Sequence, residues 1–247
     1  MTRRFGLGAA VQLALRSLLV GDHPGAVRPV SGRPIVLLHG FAASSRVLLP
    51  LERYLGRRLG RPVVRLHLGK RTPLHLGDIR ASAHHVHAAL ERMAEAPGFE
   101  YADVVGHSMG GLVATYLLKH LDRGRFIRRV VTLGTPHRGT VLAVVGILLF
   151  GALSRAVWQM LPGAPLLREL ADLPVPAGSE LLAVGALDDA IVPARSACVS
   201  GGPRQKNVCL PHLNHWELLH SPAALGCVRA ALRDDMQPMQ PAMRRAA

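Results

Sequence analysis

Residues 102–118, ADVVGHSMGGLVATYLL, carry the most decisive pattern of this chain. A short apolar run ends at Gly106, Ser108 stands between two glycines, and helix-forming residues follow Gly111. A serine on a tight turn between a strand and a helix exposes its hydroxyl, and glycines two residues before and after it leave room for neighbouring elements. The pattern therefore predicts a strand, a sharp turn and a helix, with Ser108 as a candidate nucleophile.

Short apolar runs alternate with helix-like stretches on both sides of this turn. The runs predicted as strands are residues 34–38, 62–68, 102–106, 127–133, 180–184 and 207–210. The predicted helices span residues 47–59, 78–93, 109–121 and about 223–232, with Asp78 as the cap of the second. This alternation predicts an α/β fold with a mostly parallel sheet and helices on both faces. Sites in such sheets lie at the carboxyl ends of the strands, where the Ser108 turn falls.

The composition of the 247 residues favours one main domain, since 49% of them are hydrophobic and can form a sizeable core. The formal net charge of +14 at pH 7 suggests nucleic acid or an anionic membrane as a partner. However, the arginines are scattered, and only 4% of the residues are aromatic, so few side chains could stack on bases. We therefore expect no nucleic-acid binding, whereas loose attraction to anionic lipid is compatible with the sequence.

The cysteines and a group of histidines indicate no metal or organic cofactor. Cys198, Cys209 and Cys227 follow no metal-binding or redox spacing and are expected to be small buried hydrophobic residues. A disulfide between Cys198 and Cys209 is expected only if the chain is exported. Residues 84–87, HHVH, flank an apolar helix stripe without carboxylate ligands, so these histidines are predicted on a solvated helix face.

The first 30 residues combine features of two kinds of segment. Arginines at residues 3–4 precede an apolar run, as in a short export signal, but Gln12 and Arg16 interrupt the run and no clear cleavage site follows. At helical spacing, the apolar residues within 5–19 share a face, which favours an amphipathic helix packed on the body or lying at a membrane surface. The predicted divisions are an N-terminal helix and linker (1–30), a main domain (31–235) and a flexible tail (236–247).

Three motifs together resemble the α/β-hydrolase lipases: residues 39–41 (HGF), 106–111 (GHSMGG) and 134–140 (GTPHRGT). They are most similar to the bacterial lipases and esterases that also resemble the inositol deacylases of lipid anchors. The similarity extends from about Arg33 to Leu232, and residues 155–170 resemble the segment that follows the cap in those lipases. The resemblance implies an α/β-hydrolase fold for the main domain.

The same resemblance assigns an oxyanion hole to the backbone N–H groups of Phe41 and Met109. Backbone donors that are fixed in place stabilise the charge of a transition state without reorganising. The side chain of Phe41 is also expected to pack beside an acyl pocket.

The acid of a serine hydrolase with this fold should lie between the serine and a later histidine. Two adjacent aspartates, Asp188 and Asp189, follow the strand predicted over residues 180–184. The distance from Gly185 favours Asp188. Residues 189–193, DAIVP, resemble the family's D-x-I-V-P stretch, and this resemblance assigns the acid to Asp189.

Several histidines compete for the role of general base. His39 and His107 belong to a strand end and to the serine turn, and His137 precedes the acid and is expected to shape the pocket. His212 stands close to the last strand, and His220 is expected within or capping the last helix. Residues 215–222, HWELLHSP, resemble the family's H-x-x-L-L-x-S-P stretch, which implies that His215 is the base and completes a triad with Ser108 and Asp189.

An uncharged insertion, residues 139–154 (GTVLAVVGILLFGALS), lies between Arg138 and Arg155. It is shorter than the roughly 20 residues that a membrane span needs. A buried core helix is one interpretation, and a re-entrant or anchoring segment is another. The position of the insertion matches that of the cap in similar lipases, so a short apolar cap over residues 139–170 that receives acyl chains or rests on lipid is preferred.

The sequence therefore predicts a serine hydrolase that cleaves carboxylic esters of lipid or acyl type through an acyl-enzyme intermediate, without metal or organic cofactor. The alternatives are acyl transfer on the same triad and a catalytically inactive lipid-binding protein at a membrane surface. We expect the protein in the cytoplasm or peripherally on a membrane, with export as an alternative. The sequence predicts no particular oligomeric state, acyl chain length or natural substrate.

Overall fold

The computed structural model of the protein describes residues 28–68, 77–150 and 154–233. Its sheet has six parallel strands in the order β2-β1-β3-β4-β5-β6. The strands are β1 (Ile35–Leu38), β2 (Val63–Leu66), β3 (Ala102–His107), β4 (Ile127–Leu133), β5 (Glu180–Ala186) and β6 (Gln205–Leu210). The prediction of a mostly parallel α/β sheet is confirmed.

Helices connect the strands and cover the sheet. They are α1 (Leu49–Leu59), α2 (Ile79–Ala94), α3 (Met109–Tyr116), α4 (Leu142–Phe150), α5 (Arg155–Gln159), α6 (Pro165–Asp172), α7 (Ala194–Ala197) and α8 (Pro222–Leu232). Short 3₁₀ turns precede α1 (Ser45–Leu48) and α8 (Glu217–Leu219). The helices α4, α5 and α6 all belong to the insertion between β4 and β5.

The sheet is buried on both faces, as strand β1 shows. Ile35 and Leu37 pack with α1 and α8 on one face, whereas Val36 and Leu38 pack with α2 and α3 on the other. Successive side chains of a strand point to opposite faces, so a strand with helices on both sides needs an unbroken apolar run. This need explains the sequence IVLL, of which no side chain is exposed.

Helix α2 begins where the sequence predicts. The Asp78 carboxylate accepts hydrogen bonds from the backbone N–H groups of Arg80 (2.7 Å) and Ala81 (3.1 Å), which is the usual work of an N-cap residue. Gln159, at the end of α5, accepts a hydrogen bond from the N–H of Ile79 (2.8 Å) and donates one to Asp78 (3.0 Å). The insertion is therefore docked on the start of α2.

The helix after the serine turn differs from its prediction. It is α-helical only to Tyr116 and continues as a π-helical turn over Leu117–Asp122. This wider turn contains Lys119, whose buried Nζ donates to the carbonyl oxygens of Leu170 (2.6 Å) and Leu173 (2.7 Å). The change of helix type thus coincides with a polar contact between this helix and the end of α6.

Parts of the predicted organisation fall outside the described residues. The amphipathic segment 5–19 and the tail 236–247 belong to this group, and the proposed domain boundaries stay predictions. Within the described ranges, no helix combines the length and the apolar character that crossing a membrane requires.

Candidate active site

Ser108 occupies the sharp turn between β3 and α3. Its φ of 54° and ψ of −126° lie in a region that residues with a β-carbon rarely adopt, and such strain persists only where the surroundings hold it. The Ser108 N–H donates to the carbonyl of Leu133 (2.8 Å), and the Thr135 hydroxyl donates to the Ser108 carbonyl (3.0 Å). The end of β4 and the residues after it therefore hold the turn in place.

The positions on either side of Ser108 must be glycines because a β-carbon there would collide with neighbouring backbone atoms. A β-carbon on Gly106 would lie 2.5 Å from the carbonyl oxygen of Gly110. A β-carbon on Gly110 would collide with the backbone carbonyls of Leu38 and His39 at the end of β1. Helix α3 can start against the sheet only because both positions lack side chains.

The predicted acid and base are in direct contact. His215 Nδ1 and Asp189 Oδ2 lie 2.7 Å apart, and both side chains are buried. The other carboxylate oxygen of Asp189 accepts hydrogen bonds from the N–H groups of Ile191 and Val192, each at 2.8 Å. Asp188 is exposed to solvent. Of the two aspartates, Asp189 is thus the one that reaches His215.

A small hydrogen-bond cap holds the loop that contains His215. The Asn214 side-chain oxygen accepts from the N–H groups of Trp216 (3.0 Å) and Glu217 (3.1 Å). In return, the Glu217 carboxylate accepts from the N–H of Asn214 (2.8 Å). This reciprocal pattern is that of a capping box, and it starts the 3₁₀ turn immediately after His215.

The loop after β1 passes directly beside the serine. A β-carbon on Gly40 would lie 3.0 Å from the β-carbon of Ser108. His39 Nε2 accepts a hydrogen bond from the N–H of Leu68 (3.2 Å), which leaves Nδ1 to donate to the carbonyl of Gly40 (2.9 Å). His39 thereby ties the loop that carries Phe41 to the end of β2.

A cavity of about 170 Å³ connects the candidate residues. Ser108 and His215 line it, together with Phe41 and with side chains of the insertion such as Leu142 and Val157. Met109, the second predicted oxyanion donor, is fully buried at the first position of α3. Within the described part of the chain, no hydrogen bond joins the Ser108 hydroxyl to His215.

Comparisons with known proteins agree with this architecture. Residues 74–162 match a family model described as "PGAP1-like alpha/beta domain". Lipase BlEst2 of Bacillus licheniformis in its mature form is similar with a TM-score of 0.66 and 18% identity over 85% of this chain and 94% of that chain. The lin2722 gene product of Listeria innocua has a TM-score of 0.65 and 17% identity over 84% and 96%. Lipase B of Aspergillus fumigatus has a TM-score of 0.64 and 18% identity over 85% and 55%.

The chain has the α/β-hydrolase fold.

Two further histidines have pKa values that favour the neutral form: His107, which is buried, and His137, which is partly buried. Burial, together with the neighbouring His215, holds the pKa of His107 well below its usual range, and His107 Nε2 lies 3.1 Å from the carbonyl of His215. Burial lowers the pKa of His137 to about 3. His137 lies 3.0 Å from the Thr132 hydroxyl and lines a small cavity beside Lys119. The expectation that His137 shapes the site pocket is therefore not met, since His137 lines this small cavity and not the cavity that Ser108 lines.

The other histidines considered as the base, His212 and His220, are exposed to solvent. On helix α2, His84 and His85 are also exposed, as the sequence predicts, whereas His87 is partly buried. Within the described ranges, no three side chains of histidine, cysteine, aspartate or glutamate are grouped in a way that could hold a metal ion.

The three cysteines are free thiols. The sulfur atoms of Cys198 and Cys209 lie 3.9 Å apart. The expectation that the cysteines are buried is wrong for Cys209, which is exposed on β6 at the edge of the sheet, and Cys198 and Cys227 are only partly buried.

The insertion covers one side of the cavity and leaves apolar side chains in solvent. Its entry is anchored by Thr140, whose hydroxyl donates to the Ile191 carbonyl (2.5 Å) and whose N–H donates to the Met160 carbonyl (2.9 Å). Beyond this anchor, apolar side chains at the start of α4 and in α5 remain strongly exposed. They are Val141 (73%), Leu142 (45%), Val144 (47%) and Trp158 (51%).

Three positioning residues in the structure were not predicted from the sequence. Thr135 holds the serine turn, Asn214 caps the turn after His215, and Gln159 docks the insertion on α2. Asn214 and Glu217 stand three residues apart, which is the spacing of a capping box. That spacing is a signal from which the cap could have been predicted.

Proposed function

We propose that this protein is a serine esterase that hydrolyses acyl esters through a covalent acyl-enzyme. The observation that carries the proposal is the buried hydrogen bond between Asp189 and His215, a histidine that lines the same cavity as Ser108. A buried carboxylate that holds one imidazole nitrogen leaves the other nitrogen free to act on a hydroxyl. The similarity in fold to lipases supports ester substrates.

In the proposed reaction, His215 takes the proton of the Ser108 hydroxyl while the serine oxygen attacks the ester carbonyl carbon. Asp189 keeps the imidazole in the required tautomer and stabilises its charged form. The N–H groups of Phe41 and Met109 donate to the oxyanion of the tetrahedral intermediate. His215 then protonates the leaving alcohol, and a water molecule activated by the same histidine releases the acid.

The walls of the cavity support a substrate with an apolar acyl chain. They include Leu142, Val157 and Met160 from the insertion, and such walls favour hydrocarbon over polar groups. The exposed side chains of Val141, Val144 and Trp158 lie at the same end of the molecule. We therefore propose that this surface makes peripheral contact with lipid and brings the cavity to its substrate.

A fluorophosphonate probe tests the proposal directly, because it phosphonylates only an activated serine. The full-length protein should be labelled at Ser108. Its rate of p-nitrophenyl butyrate hydrolysis should fall in proportion to the fraction of protein that is labelled. Ser108→Ala should abolish both labelling and hydrolysis, whereas Ser200→Ala, at a solvent-exposed serine outside the cavity, should leave both unchanged. Labelling that persists in Ser108→Ala would assign the nucleophile elsewhere.

A further inference from the structure

A second and larger cavity, of about 340 Å³, lies at the opposite end of the sheet from Ser108. It opens between the first residues of β4, β5 and β6 and the last turn of α8. Arg129, in its wall, precedes Leu133 by four residues, and Leu133 is the residue that contacts the Ser108 turn. At about 3.3 Å per residue, the two sites are separated by roughly 13 Å along β4.

The cavity is strongly cationic. Its lining residues include four basic side chains and a single acidic one, namely Arg129, Arg204, Lys206, Arg233 and Glu180. Arg204, Lys206 and Arg233 are exposed residues at the rim. Leu182, Cys227 and Ala231 contribute apolar wall between these charges. An anion with a small organic group would match both features.

Arg129 is the residue that points to a ligand. It stands in the interior of a strand, is 4% exposed, and its Nη1 has no hydrogen-bond partner within the described part of the chain. Among the described residues, its one ion-pair contact is Asp103, at 4.0 Å. That carboxylate is already committed to Arg61, at 2.7 Å. Two buried guanidinium groups therefore share one carboxylate.

Glu180 does not neutralise the charge of the Arg129 guanidinium group. It stands opposite Arg129 in the register between β5 and β4, yet among the described residues it forms no ion pair with Arg129. A buried charge without a full partner is costly, and a second anion beside it removes much of that cost. The arrangement thus leaves a place for one more negative charge next to Arg129.

We propose that this cavity binds a phosphate monoester group, with Arg129 at its base and Arg204 and Lys206 at its rim. A phosphate monoester carries close to two negative charges at pH 7, which suits four basic residues opposed by one carboxylate. The planar guanidinium group donates two parallel hydrogen bonds to phosphate oxygens. The site takes either a soluble phosphate ester or the headgroup of a phosphate-bearing lipid.

Calorimetric titration of the full-length protein with sn-glycerol 3-phosphate, at constant ionic strength, tests the site. The exposed pair Arg204→Gln/Lys206→Gln should weaken binding at least about tenfold, since charge-assisted hydrogen bonds are lost. Arg57→Gln/Arg58→Gln removes the same charge from exposed positions on α1 and should bind like the wild type. Equal weakening by both pairs, or no binding by the wild type, would overturn the proposal.

Arg129→Met supplies a second and independent test. This variant removes the incompletely paired buried charge, so it should bind no glycerol 3-phosphate while its melting temperature without ligand stays equal to or above that of the wild type. Unchanged affinity in a folded Arg129→Met protein contradicts the proposed site. A variant that fails to fold leaves the decision to the Arg204 and Lys206 pair.

The source of the phosphate is decided with vesicles. Co-sedimentation is compared between phosphatidylcholine vesicles with phosphatidate and those with phosphatidylglycerol at equal surface charge. A preference for phosphatidate that Arg204→Gln/Lys206→Gln abolishes assigns a lipid headgroup. Binding of glycerol 3-phosphate without such a preference assigns a soluble ester, and the absence of both overturns the proposal.

Discussion

The loops that carry the candidate triad and the apolar helix α4 border the same cavity, but different contacts hold them. The triad loops are fixed by specific polar contacts, such as the three that Asp189 makes with His215, Ile191 and Val192. Helix α4 follows the Thr140 anchor, and its start leaves Val144 and neighbouring apolar side chains in solvent.

This difference separates two requirements of one site. Groups that handle protons and developing charge must be oriented before the substrate arrives, so they are over-determined by hydrogen bonds. A surface that receives hydrocarbon needs only apolar area, which neither demands nor uses directional contacts. We therefore expect changes in the loops to act on every substrate and changes in α4 to act selectively on long acyl chains.

The largest effect is expected from the two adjacent aspartates. Asp189→Asn should lower kcat by about ten-thousand-fold with the fold intact, because His215 loses the carboxylate that selects its tautomer. Asp188→Asn changes an exposed residue and should keep most of the activity. Steady-state kinetics and circular dichroism of both variants check this difference, and the reverse pattern would move the acid to Asp188.

A second test acts on His137, which is partly buried and has a lowered pKa. The folded-state pKa of His137 is about 3, below its usual 6.5, so the unfolded chain takes up this proton first as the pH falls. The contribution of neutral His137 to the free energy of unfolding is therefore complete above about pH 6.5. It is lost as the pH falls toward 3, by up to about 1.4 kcal/mol per pH unit.

His137→Gln should flatten this dependence, measured as the free energy of urea unfolding between pH 7 and pH 4.5. The exposed His84→Gln is the matched control and should follow the wild type. If the free energy of unfolding of His137→Gln changes with pH as steeply as that of the wild type, His137 does not govern acid stability.

A third test concerns the cap. Leu142 lines the cavity. Leu142→Ser removes apolar contact worth about 0.8 kcal/mol per methylene group, and the loss of about two such groups corresponds to roughly a tenfold loss in kcat/KM for a long-chain ester. Acetyl ester hydrolysis should change little. Leu187→Ser is the control, because Leu187 is 57% exposed but does not line the cavity. Equal losses on both esters would assign α4 to the core.

The smallest effect is expected at the cap after His215. Asn214→Ala removes the acceptor for two backbone N–H groups and should lower the free energy of unfolding by about 1 kcal/mol. Asn214→Asp keeps an acceptor at the same place and should retain the stability of the wild type. Chemical denaturation of the three proteins checks the order.

Local pattern was sufficient for the serine turn and the sheet. The glycines around Ser108 stand at a fixed spacing within one short stretch, even though Gly110 makes room for the end of β1, and the apolar runs reflect burial on both faces. Asp78 could be predicted as a cap for the same reason, since its partners are its own neighbours.

Features that depend on contacts between residues far apart in the sequence were harder to predict. Counting from Gly185 favoured Asp188 because the strand was expected to end at residue 184. Pairing with β6, which aligns Ala186 with Leu210, extends β5 by two residues and changes where its loop begins. The π-helical turn around Lys119 has its partners on α6, about fifty residues away, and leaves no periodic signal.

The tight fit of Gly106 and Gly110 has a consequence for variants of this turn. Losing the Ser108 hydroxyl removes one oxygen atom and leaves the packing of α3 on the sheet intact, whereas a single added methyl group at Gly110 would push helix and strand apart. Chemistry and architecture can therefore be lost independently at this turn. A variant chain without the serine hydroxyl would still need both glycines, so the spaced glycines report on the fold, whereas the serine between them reports on the proposed hydrolysis.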